Sequence, residues 1–177
     1  VTSNIALLRG INVGGKNKIR MADLKAMFES LGCMNVVTYL QSGNVVLHAS
    51  RAMDPNKIKT AISDTFGYEV PVLTISDDKL LAAAQNNPFF ETPKIDPAHC
   101  YVTFLWQTPS PEKLINLKLP TNETGQFSIQ GDLIYVCCPD GYGKTKINNQ
   151  FFEKKLGMEA TTRNWKTVNA LCELVSQ

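Results

Sequence analysis

The sequence predicts an α+β fold in which one plan is used twice. Three observations support this. Residues 1–75 alternate between strand-like and helix-like periodicity in the order βαββαβ. A similar order, βαββα followed by one more helix, returns after residue 98. Finally, "YLQSGNVVL" and "SIQGDLIYV" echo each other: an apolar residue, Gln, a Gly-centred turn, then a β-rich run. The βαββαβ order is that of the ferredoxin-like split βαβ unit. The expected architecture is therefore a duplication of two ferredoxin-like halves, each an antiparallel sheet with helices packed on one face, with an extra C-terminal helix.

Each element has a local reason. "NIALL", residues 4–8, reads as a buried strand bounded by Gly10. "MADLKAMFESLG" sets Leu24, Met27, Phe28 and Leu31 at i, i+3, i+4 and i+7, one apolar helix face stopped by Gly32. "NVVTYLQ" and "NVVLHA" are β-rich runs joined through Ser42-Gly43-Asn44, a hairpin. Asp54-Pro55 supplies an N-cap and a first-turn proline for a helix carrying Ile58, Ala61, Ile62, Thr65 and Phe66. "EVPVLTI" is the fourth strand, and Pro71 places it at an edge or a bend.

A helix from Ser76 to about Asn87 is stopped by Pro88, and three prolines mark residues 88–97 as a connection. In the second half "CYVTFLW", "QFSIQ" and "DLIYVCC" read as strands, and "SPEKLINLKL" as a short helix. Ile147, Phe151, Phe152 and Leu156 mark a helix ended by Gly157. The last helix is expected from about Arg163 to Ser176, burying Trp165, Val168, Cys172 and Val175, with Thr162 as its cap. The expected organisation is a first half at 1–75, a connection at 76–97 and a second half at 98–177.

Composition excludes several classes. With 44% hydrophobic and 19% charged residues, a packed core is expected and disorder is not. The longest apolar runs are far short of the roughly 20 residues that span a membrane. The start has no basic stretch leading into a signal-length apolar run, so a cytoplasmic location is expected. The five cysteines form no CxxC pair and read as reduced structural thiols. His48 and His99 stand at no metal-ligand spacing, so neither a metal nor another cofactor is expected.

Two neighbourhoods are basic. Residues 1–22 hold Arg9, Lys16, Lys18 and Arg20 and no acid. Residues 141–166 hold six Lys or Arg against Glu153 and Glu159. The first contains "LRGINVGGKNKIRM", a glycine loop between strand and helix. Backbone N–H groups, a helix N-terminus and Lys16 or Lys18 can together hold a phosphate or carboxylate there. The second contains "PDGYGKTK". Its "GKT" lacks the P-loop glycine, because Cys138 stands at that position. The "QSGN" turn is rich in hydrogen-bonding groups, and "TTRNWKT" puts an arginine at a helix start, where the dipole disfavours it. No nucleophile or paired-carboxylate motif is legible, which leaves enzymatic activity open. RNA stacking of the RRM kind lacks its aromatics in the first half. Phe104 and Trp106 share a strand face in the second half and, with Tyr135, read as core more than platform.

"ALLRGINVGGKNKIRMADLKAMFESLG", "VTYLQSGNVVL" and "ATTRNWKTVNAL" together resemble the bacterial family known as domain of unknown function 1697. The resemblance implies a duplicated ferredoxin-like architecture and carries no established activity. The matching positions include Arg9, Gly10, Asn12, Gly14, Gly15 and Lys16, then Gln41, Ser42, Gly43 and Asn44, then Thr162, Arg163, Asn164, Trp165 and Thr167. The sequence-based expectation is that these three stretches converge on one polar cleft for a small anionic or phosphorylated ligand. Arg9, Lys16 and Arg163 would supply charge. Asn12, Gln41, Asn44 and Asn164 would supply orientation and Trp165 would pack beneath, with Gly10, Gly14, Gly15 and Ser42 among the expected ligand-binding residues. The alternatives are a nonspecific nucleic-acid-binding module and a protein–protein interaction scaffold.

Overall fold

A computed structural model describes residues 1–177. The chain is α+β, with two four-stranded antiparallel sheets and six α-helices. It divides into two compact units, Val1–Ala82 with Ala170–Gln177, and Ala83–Asn169. No helix is long and apolar enough to cross a membrane.

The first unit runs β1 (Thr2–Leu8), α1 (Met21–Ser30), β2 (Met34–Tyr39), β3 (Asn44–Ala49), α2 (Pro55–Phe66) and β4 (Val72–Ser76). Its sheet order is β2-β3-β1-β4. Strand β1 pairs with β3 from Thr2↔Ala49 to Leu7↔Asn44, and with β4 from Asn4↔Ser76 to Leu8↔Val72. Alternate residues feed one core: Ala6, Leu8, Val45, Leu47 and Val72 meet Leu24, Met27 and Phe28 of α1 and Ile58 and Ile62 of α2. Ile5, Leu7, Val46 and Ile75 lie at the intervening positions and are buried as well. Burial of both faces explains why "IALL" is continuously apolar rather than alternating. Asp54 caps α2 by accepting from the Asn56 N–H, with Pro55 in the first turn, as the sequence predicts. Strand β4 is an edge strand and begins directly after Pro71.

Helix α3 (Asp77–Gln85) follows, then two 3-10 turns at Pro88–Glu91 and Pro97–His99 in the proline-rich stretch. The second unit continues with β5 (Cys100–Leu105), α4 (Pro111–Ile115), β6 (Gln126–Gln130), β7 (Leu133–Cys137), α5 (Asn149–Leu156) and β8 (Ala160–Asn164). Its sheet order is β6-β7-β5-β8. Leu105, Ile134, Val136 and Ala160 pack with Ile147, Phe152 and Leu156. Helix α6 (Trp165–Val175) completes the chain.

Three sequence expectations need correction. The helix expected over "SPEKLINLKL" spans only Pro111–Ile115 and ends at Asn116; Leu117 beyond it is buried in the core without being helical. The segment read as the cap and first turn of the last helix is instead strand β8, paired with β5 from Tyr101↔Asn164 to Leu105↔Ala160. Thr162 is therefore not a cap: its hydroxyl lies 2.8 Å from that of Thr103 and donates to Asn149 Oδ1 at 2.9 Å. Asn164 caps α6 by accepting from the Thr167 N–H at 2.8 Å. Arg163 thus sits in a strand rather than a helix turn, which removes its conflict with the helix dipole.

Phe104 and Tyr135 are buried, and the Tyr135 hydroxyl donates to the Ala83 carbonyl at 2.8 Å. Both belong to the core, whereas Trp106, expected on the same strand face as Phe104, lies beyond the end of β5 and is half-buried. All five thiols are free, and burial pushes Cys100 up to about 12. A thiol held protonated in this way is a poor nucleophile.

Candidate functional site

The glycine loop is a miniature hairpin. Val13 and Lys16 form a bridge, closed by the Lys16 N–H on the Val13 carbonyl at 3.0 Å. Gly14 and Gly15 occupy the two central positions with φ of 57° and 76°. Positive φ at both is the signature of a type I′ turn, which Gly-Gly satisfies without steric cost. A Cβ at Gly14 would meet nothing within 4 Å, so the backbone angle rather than a close contact requires glycine.

Two asparagines tie this hairpin down. Asn12 accepts from the Ile19 N–H at 2.8 Å and donates to the Ile19 and Gln41 carbonyls at 3.0 and 2.9 Å. Asn17 donates to the Gly10 carbonyl at 3.1 Å. Both have positive φ, a conformation asparagine tolerates better than most residues. The N–H groups of Asn12, Lys16 and Ile19 are therefore engaged inside the loop.

The "QSGN" turn is seated against the same strand end. The Leu8 N–H donates to the Gly43 carbonyl at 2.8 Å. Asn44 is buried and donates to the Tyr39 carbonyl and the Ser42 hydroxyl, both at 2.9 Å. Gly43 has φ 88°, and a Cβ there would come within 2.6 Å of Leu8 Cβ. Here glycine is demanded twice, by angle and by space.

Between loop and turn lies a cavity of about 490 Å³, walled by Asn12, Gly15, Lys18, Ile19, Arg20, Met21 and Gln41. It opens at the start of α1, whose N-cap residue, Arg20, makes no side-chain cap hydrogen bond. Arg20 grips Asp23 through Nε at 2.8 Å and Nη2 at 3.2 Å. That hydrogen bond holds the Asp23 carboxyl below its ordinary value. Arg20 is thus neutralised locally, and Lys18 is the cation the wall contributes. Of the two lysines the sequence offers, Lys16 is exposed on the hairpin arm instead.

Of the residues expected from the sequence, Asn12, Gly15 and Gln41 line this cavity, while Gly10, Gly14, Lys16, Ser42 and Asn44 lie in the adjoining loop and turn without lining it, and Arg9 directly follows β1. Arg163, Asn164 and Trp165 belong to the second unit and have local roles there. Arg163 is buried and donates to the Thr161 hydroxyl at 2.7 Å and the Thr162 carbonyl at 3.0 Å. Desolvation pulls it down to about 10. Asn164 is the cap of α6, and Trp165 packs edge-on against Phe90, ring centroids 4.9 Å apart. The wall residues Ile19 and Met21 carry no sequence signal as ligand contacts; they are recognisable only once the loop is folded.

The "PDGYGKTK" loop binds an anion of its own chain. Glu123 accepts from the Gly125 and Lys146 N–H groups, both at 2.7 Å, and from the Thr145 hydroxyl at 3.2 Å. Desolvation pushes its carboxyl up, but these donors outweigh it and hold it below the ordinary carboxylate range. Helix α5 starts at Asn149, beyond "GKT", and is capped by Asn148. This is not the geometry of a P-loop.

A family model described as "Protein of unknown function (DUF1697)" matches residues 1–135. The solved structure of the conserved bacterial protein SP0830 from Streptococcus pneumoniae is similar to the chain, with a TM-score of 0.71 at 22% identity, covering 98% of each chain. No curated protein matches.

Proposed function

We propose that this chain, which belongs to the DUF1697 family, binds a small anion in the cavity between the glycine hairpin and the "QSGN" turn. One observation carries the reading: the start of α1 has no side-chain cap and opens onto a cavity walled by Lys18 and Gln41. The first-turn N–H groups of a helix attract negative charge, and a lysine beside them adds a full charge. Phosphate, sulfate and carboxylate groups share this chemistry. Arg163, Asn164 and Trp165 are left out of this site because their side chains are already used within the second unit.

A thermal-shift titration with inorganic phosphate and sulfate tests this, with Lys18→Ala as control. A ligand that binds only the folded state raises Tm by mass action. The expected result is a saturable rise in the native protein that Lys18→Ala removes. No rise, or an equal rise in Lys18→Ala, overturns the reading. A rise with short RNA that vanishes steeply with salt would favour the nucleic-acid reading instead.

The two units also support a ferredoxin-like duplication. Each has the element order βαββαβ, and β2-β3-β1-β4 and β6-β7-β5-β8 are the same arrangement in chain order. On this reading the loop between β1 and α1 and the loop at residues 106–110 between β5 and α4 are counterparts, and only the first is long enough to fold a hairpin of its own.

A further inference from the structure

A second cavity, of about 450 Å³, lies within the second unit, walled by Gln85, Asn86, Asn87, Phe90, Glu91 and Gln130. Its lining differs from that of the first: four carboxamides, one carboxylate, an aromatic ring and the ring of Pro88, with no lysine or arginine. Asn87 is 6% exposed. Its Oδ1 accepts from the Phe89 N–H at 3.0 Å, which fixes the orientation of the amide. Its Nδ2 is buried and has no hydrogen-bond partner. A buried donor without an acceptor is rare in native proteins and calls for an explanation. The cap needs only the oxygen, so Ser or Asp would serve the turn without stranding a donor.

We propose that this cavity binds a neutral polyhydroxylated ligand, of the sugar class, with Asn87 Nδ2 donating to one of its oxygens. Hydroxyl groups both donate and accept, as carboxamides do, and Glu91 adds a strong acceptor. The Phe90 ring gives an apolar surface for the carbon-bound hydrogens of a sugar ring, and buried Trp165 buttresses it edge-on. The absence of cations from the wall disfavours phosphorylated ligands here. Asn87 Nδ2 is covered in this state, so engagement involves a side-chain adjustment in the wall; Gln85 and Gln130 are exposed, and Gln130 is held by a long 3.4 Å hydrogen bond from its Nε2 to the Asn86 carbonyl. "TRNW", the most pointed motif of the second half, thus places its tryptophan against the ring that lines this cavity.

The test is a ¹H–¹⁵N NMR titration of the full chain with glucose, N-acetylglucosamine and cellobiose. Asn87→Ser keeps a capping oxygen and deletes the donor; Gln130→Ala alters an exposed wall residue and tests the site should Asn87→Ser fail to fold. The expected result is saturable shifts at Asn86, Asn87, Glu91 and Gln130 with at least one sugar. Affinity should fall about tenfold or more in Asn87→Ser, with Tm unchanged or raised. Gln130→Ala should weaken binding to a smaller degree. No saturable shifts at these residues with any of the three sugars, or undiminished affinity in both variants, would overturn the proposal. Because the probes are uncharged and the cavity lies in the other unit, failure here leaves the anion reading untouched.

Discussion

Two loops in this protein look alike in sequence and differ in what they hold. "VGGKNK" and "PDGYGKTK" both follow a strand, and both mix glycines with lysines. The second wraps the carboxylate of Glu123, which collects two backbone N–H groups and a hydroxyl. The first has no such acid; Asn12 and Asn17 brace it with neutral carboxamides, and an uncapped helix start lies beside it. A glycine–lysine loop is therefore not evidence of an external anion until its internal partners are known. An acid distant in sequence can satisfy it, and Glu123 is distant from Lys146.

Substitutions break this comparison in order of size. The seat of the first loop depends most on Gly43. Gly43→Ala forces a Cβ onto Leu8 at φ 88°, and should lower stability by about 3–4 kcal/mol, read as a shift in urea midpoint. Asn12→Ala removes the brace of the hairpin, leaves the Ile19 N–H unpaired and should cost about 2 kcal/mol by the same measurement.

Glu123→Gln tests the other loop. It keeps the shape but replaces an acceptor oxygen with a donor, and should cost about 1–2 kcal/mol at neutral pH. Its pH dependence carries a sign. The folded carboxyl is held below its ordinary 4.5, so its contribution is complete above that value and is lost as pH falls through the folded value. Acid denaturation followed by circular dichroism should accordingly be shallower in Glu123→Gln. Lys18→Ala should move stability least, within about 0.5 kcal/mol, because the side chain is exposed. Its effect should fall on phosphate-induced stabilisation alone. If Glu123→Ala made the second loop respond to phosphate, the two loops would prove interchangeable apart from their internal acid.

Much of the fold was legible. The apolar spacing of Leu24, Met27 and Phe28, the Asp54-Pro55 helix start and the hairpin through "QSGN" all depend on neighbours within a few residues, and the structure has each of them, although Leu31, expected on the same face, lies past the end of α1 and is exposed. Strand β8 was not legible. "ATTRN" is short and polar, and its strand character comes from pairing with β5, some sixty residues away. The role of Arg163 followed that error, since a residue in a strand faces different partners from one in a helix turn. Of the candidate site, the loop and the turn were legible as polar and glycine-rich stretches. Lys18 was legible as one of two candidate cations; the Asn12–Gln41 bond that joins loop and turn, and the place of Ile19 and Met21 in the wall, were not.

By itself the sequence determined the α+β class, the order of elements in the first unit, and where glycine and proline punctuate them. These follow from local backbone preferences and from apolar periodicity, which act over a few residues. Tertiary structure decided which donors and acceptors meet: Glu123 with the "GKTK" backbone, Asn12 with Gln41, and Asn87 with one partner where its amide could take more. Hydrogen bonds between distant segments depend on how the packed elements place their ends, and no local pattern encodes that placement.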